Sequence, residues 1–157
     1  MPDRAWQIDG DVSEWTLTDT LQNRVSLGLG PAALAARHWP DGRPRSLAVE
    51  HAIDDMEMAI ERSPLRHANR DLLTLVCADP AVMSPWIPAG AELHRDEVEQ
   101  AFSAWVATLD RFGAADPSAS GSAAAALLML RELMHHLGFQ RFCVSVTVMP
   151  GMPAGPG

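Results

Sequence analysis

Residues 123–130, AAAALLML, carry an apolar side chain at every position. A helix made from them has no polar face to turn toward water, so these two turns must be buried on every side. The run is far shorter than the ~20 residues a bilayer span needs, so the surrounding layers have to be protein. Ser122 offers a cap and Gly138 a stop, which predicts a helix over 122–138.

Other segments supply the layers. In 95–112 the apolar residues Val98, Phe102, Trp105, Leu109 and Phe112 recur at four, three, four and three, with acids in the first turn and Gly113 as the stop. Ser46 caps a helix in which Val49, Ile53, Met56 and Ile60 form one stripe, opposite Glu50, Asp54, Glu57 and Glu61. Gly30-Pro31 opens a short helix, PAALAARHW, that Pro40, Gly42 and Pro44 end. Residues 15–30 alternate on either side of Gln22-Asn23, the pattern of a hairpin, and FCVSVTVM near the C-terminus has the period of a half-buried strand. Residues 70–78 read as a short helix, although TLVC also fits a strand, and 79–93, with three prolines, as an irregular connection.

These patterns predict an α+β fold: a small antiparallel sheet, made of the N-terminal hairpin plus the C-terminal strand, packed against about four helices. One globular domain over 1–149 and a flexible tail over 150–157 are expected, since PGMPAGPG has nothing to bury. At 157 residues the chain has the size of one domain, able to bury roughly 70% of its unfolded surface.

The formal charge is -8, and all 12 basic residues are arginines. They are scattered singly, without the basic stripe that nucleic-acid binding needs, so nucleic acid and anionic membranes are excluded as expected partners. The charged N-terminus, MPDRAWQIDGD, lacks the apolar stretch of a signal peptide, which makes the cytoplasm the expected compartment. Cys77 and Cys143 lie far apart with no C-x-x-C pairing and read as free thiols.

Reactive side chains concentrate in RELMHH. Helical spacing puts Glu132 one turn from both His135 and His136, so a carboxylate and an imidazole can share one divalent metal ion. His51, Asp54, Asp55 and Glu57 on the acidic helix are candidate partners for Glu132, His135 and His136. The same cluster also fits the hydrated end of a buried helix, with its histidines near the negative C-terminus. Gly28-x-Gly30-x-x-Ala33 matches a relaxed dinucleotide-binding pattern, but Glu50 falls in a helix and not at the end of a second strand, so no cofactor is assigned there.

Three of the five tryptophans, Trp6, Trp39 and Trp86, sit in or beside expected loops. Exposed, Trp39 and Trp86 would mark a contact with another chain; folded back, they would cover the edge of the core. No G-x-S-x-G elbow, Walker loop or activated cysteine motif is present, so catalytic residues stay unassigned. The sequence reading is therefore a non-catalytic interaction or accessory protein that self-associates as a homodimer. The alternative is a metal-dependent enzyme or metal sensor built on Glu132, His135 and His136.

Overall fold

Alternation of inward and outward side chains organises one mixed sheet. A computed structural model describes residues 5–10, 13–77, 83–88, 90–112 and 121–146, except the side chains of 10, 77, 110–112 and 146. In chain order the elements are β1 (Ala5–Gly10), β2 (Trp15–Asp19), β3 (Arg24–Ser26), α1 (Pro31–His38), α2 (Ser46–Arg62), β4 (Leu72–Cys77), β5 (Glu92–His94), α3 (Arg95–Phe112), α4 (Gly121–Leu137) and β6 (Arg141–Val146). The six strands lie in the order β3-β2-β1-β4-β6-β5. β1, β4 and β6 run parallel, while β2, β3 and β5 are antiparallel to their neighbours.

The small antiparallel sheet expected from the sequence is thus corrected to a six-stranded mixed sheet, although α+β and four helices stand. The expected hairpin forms as β2 and β3, turning through Gln22, which takes the left-handed conformation. The C-terminal strand does not join that hairpin. β6 pairs instead with β4 in parallel and with β5 in antiparallel fashion. The expected helix over 70–78 is β4, a central strand whose run LLTLVC is nearly continuous in apolar residues because parallel strands are buried. Part of the expected connection over 79–93 is the edge strand β5, and β1 went unread.

Register aligns two apolar rows on one face. Trp6, Leu73, Phe142 and Leu93 form one row, and Leu17, Ile8, Leu75 and Val144 the other. Every residue from Ala123 to Leu130 is buried, as the sequence demanded, and α4 is the central helix, with α1, α2 and α3 all packed against it. Val98, Phe102, Trp105 and Leu109 of α3 and Val49, Met56 and Ile60 of α2 point into the same core. The opposite sheet face carries polar side chains, among them Gln7, Thr74 and Cys143, whose thiol is free. Gly138 ends α4 in the left-handed conformation. Among the described residues no helix is long and apolar enough to cross a membrane. The boundary at 149 and the tail lie outside the described residues.

Candidate functional site

Helix spacing and helix packing together converge three ligand-type side chains. Glu132 and His136 are one turn apart on α4, and Glu57 of α2 closes on them from the facing helix. One ligand atom from each lies within 4.8 Å of the other two. His136 Nε2 stands 2.9 Å from Glu132 Oε2 and 3.3 Å from Glu57 Oε1. Glu132 is fully buried. Its Oε1 accepts a 2.6 Å hydrogen bond from Arg131 Nη1, whereas Oε2, 2.9 Å from His136 Nε2, makes no hydrogen bond. Burial works against the charge of Arg131, but Glu132 and Glu99 outweigh it and raise the guanidinium pKa. Chemically this is a two-carboxylate, one-imidazole donor set able to hold a divalent cation.

His135, expected beside Glu132, is exposed and outside this set; its ring meets only the edge of His136 within the pair, centroids 5.1 Å apart. Of the expected partners on the acidic helix, Glu57 alone reaches the cluster. Asp55 instead binds Arg37 and His38, at 2.9 and 2.6 Å. Burial opposes its charge, yet those two hydrogen bonds prevail and hold its pKa below the ordinary value. His51 and Asp54 face solvent.

Trp39 is 2% exposed, and its indole N–H donates to the Gly121 carbonyl. Half-buried Trp86 donates to the Ala123 carbonyl. Both rings pack edge-on against Trp105, at centroid distances of 6.5 Å. The indoles therefore cover the start of α4 and do not form an exposed aromatic patch. Gly28 takes a left-handed conformation, and a Cβ at Gly30 would lie 2.3 Å from the Ser13 carbonyl carbon, so these glycines serve a turn and a close backbone approach.

A cleft of about 600 Å³ between β3, α1 and α2 was not foreseen. Arg24, Arg37 and Arg62 line it together with Asp55, Ser26 and Gly28. Three of twelve arginines in one cleft give local positive charge to an acidic protein. Sequence could not reveal this, since the three come from three different elements. The Ser26–Gly28 end of the cleft adjoins Glu14, whose carboxylate accepts from Ser26 Oγ. That end lies toward the carboxyl edge of the parallel strands, where open α/β sheets hold their ligands.

No known sequence family and no curated protein matches the chain. Its fold does match solved structures. The Ppx/GppA phosphatase of Aquifex aeolicus, described as a type II variant, is 12% identical with a TM-score of 0.64, over 92% of this chain and 53% of that one. A second structure of the Aquifex aeolicus PPX-GPPA enzyme gives 12% identity and 0.63 over 90% and 53%. An exopolyphosphatase-like protein gives 12% and 0.62 over 93% and 56%. The chain thus spans about half the length of these neighbours. All are described as Ppx/GppA or exopolyphosphatase-like proteins, and this overturns the expectation of a non-catalytic interaction protein. At this identity the likeness establishes the fold: the chain folds like one half of a Ppx/GppA phosphatase.

Proposed function

We propose that the chain is one lobe of an enzyme that cleaves phosphoanhydride bonds, with linear polyphosphate as the substrate class. The observation that carries this reading is the likeness, over nine-tenths of the chain, to structures described as Ppx/GppA phosphatases and an exopolyphosphatase-like protein. The arginine-lined cleft supports the substrate class. A formal charge of -8 repels a polyanion at long range, so binding needs a local concentration of guanidinium groups, and arginine is well matched to phosphate oxygens. A divalent metal is the proposed cofactor, arriving with the substrate phosphates and neutralising charge that develops during transfer.

The Glu57, Glu132 and His136 cluster is not assigned to that chemistry. α4 ends beside residues 68–71, which lead into β4, so the cluster lies toward the amino edge of the parallel strands. A homodimer is proposed as the working form, since most soluble homo-oligomers close with two-fold symmetry. The cytoplasm is the proposed compartment, in keeping with the free thiol of Cys143.

Phosphate release from polyphosphate, measured with magnesium present, tests the proposal. Release is expected from the wild type and a loss of at least about tenfold from the double variant Arg24→Ala/Arg62→Ala, about one tenfold step for each 1.4 kcal/mol of lost phosphate contact. No release and no retention of polyphosphate by the wild type would reject it. Light scattering over a dilution series tests the dimer, which a strictly monomeric active protein would remove.

A further inference from the structure

We infer that Glu57, Glu132 and His136 form a zinc-type cation site that ties α2 to α4, separate from the phosphoryl chemistry. The decisive atom is Glu132 Oε2. It is buried, has no hydrogen bond, and stands 2.9 Å from His136 Nε2 in a residue whose ligand atom lies within 4.8 Å of those of His136 and Glu57. A polar atom withdrawn from water with no hydrogen bond costs about 1–3 kcal/mol, and buried groups of this kind nearly always have one. A bound cation supplies what the protein does not.

The donor set fits a first-row divalent metal better than magnesium or calcium, which favour all-oxygen shells. Tetrahedral zinc with bonds of about 2.1 Å places its ligand atoms about 3.4 Å apart. The observed 2.9 and 3.3 Å separations lie just inside that spacing, so a small outward movement of the side chains would admit the ion. Supporting hydrogen bonds are in place: Arg131 holds the other oxygen of Glu132, and Glu99 holds Arg131 at 3.1 Å. Access exists as well. His136 and Glu57 are both partly exposed, and His136 also lines a surface cleft with His67 and Glu61.

The competing occupant is a proton. A protonated His136 between two carboxylates would make a closed ion triad with no use for metal. The whole chain, stripped with chelator and returned to metal-free buffer, is titrated with zinc by calorimetry while thermal melting is followed; cobalt is used in parallel for its visible spectrum. Saturation at one equivalent, a raised melting temperature and a cobalt spectrum of nitrogen and oxygen ligation are expected. Glu57→Ala and His136→Ala, both at partly exposed positions, should keep the circular dichroism of the wild type and bind zinc at least about tenfold more weakly. Glu132→Gln should behave alike if it folds, and the conclusion stands on the other two if it does not. Lack of saturable binding, or binding that Glu57→Ala and His136→Ala leave unchanged, overturns the inference. No substrate enters these measurements, so their failure is distinguishable from failure of the phosphatase reading.

Discussion

Two carboxylates are buried in the described residues, and they are held in opposite ways. Asp19, at the end of β2, is served by its own turn: the backbone N–H groups of Leu21 and Asn23 and the Asn23 side chain all donate to it. Glu132 faces Arg131 and His136 of its own helix, and those two are held in turn by Glu99 of α3 and Glu57 of α2 only when the helices dock on α4. The first arrangement is complete within four residues. The second exists only in the folded protein, so its energetics should respond to distant changes that leave Asp19 indifferent.

Gly138 is the place where the second arrangement is most easily broken. It ends α4 at φ +84°, and a Cβ there would lie 2.0 Å from the Ala68 carbonyl oxygen. Strain in the left-handed region and a clash with backbone each cost about 1–3 kcal/mol, so Gly138→Ala should destabilise by about 4 kcal/mol. Urea unfolding checks this, and a loss below about 1 kcal/mol would show that the end of α4 is free to shift.

Arg131→Ala should cost somewhat less, about 3 kcal/mol in metal-free buffer, because it takes the Oε1 hydrogen bond and the paired charge from a buried carboxylate. The raised pKa of Arg131 makes its contribution fully present below the ordinary arginine value and lost only above it, so the deficit should not change between pH 6 and 9. The double variant Arg131→Ala/Glu132→Leu sharpens the contrast. With both charges gone it should regain stability to within about 1 kcal/mol of wild type, since apolar replacement of a buried pair is near neutral. Strict additivity of the two substitutions would mean that the groups do not act as a pair.

Asp19 gives a smaller effect with a pH signature. Hydrogen bonding from the Asn23 side chain, opposed by burial and aided by backbone donors, holds its pKa below the ordinary 3.8. A depressed acid stabilises the fold above its unfolded pKa, and the benefit is lost as pH falls through the folded value. Unfolding midpoints taken at pH 7, 4 and 3 should therefore fall in the wild type and fall less in Asp19→Asn. Parallel pH profiles for the two proteins would remove Asp19 from the account.

The same distinction between local and distant support explains what the sequence disclosed. Segments that carry their own evidence were readable: the apolar girth of 123–130, the four-three spacing of α3, and the turn around Gln22. β4 was not, because LLTLVC is too short for periodicity to separate strand from helix and its parallel partners lie in remote segments. β6 was read as a strand but joined to the wrong partner for the same reason. At the candidate site, Glu132 and His136 were legible from helix spacing, while Glu57 was one of several acids on α2 and only packing selects it. The arginine cleft left no trace, since Arg24, Arg37 and Arg62 share no local pattern.

His135 and His136 set the smallest expected effect against the sharpest test of that selection. In sequence the two are equivalent candidates, three and four positions from Glu132. In the fold they differ: His136 stands against Glu132 and Glu57, while His135 is exposed. His135→Ala should alter stability by less than about 0.5 kcal/mol, as ordinary surface substitutions do, and should leave zinc binding at the wild-type level. His136→Ala removes a ligand and should not. A clear loss of stability or zinc affinity in His135→Ala would mean that α4 is rotated by part of a turn from its described position. The chemistry would then belong to the three-residue spacing, with Glu57 no longer the partner that α2 contributes.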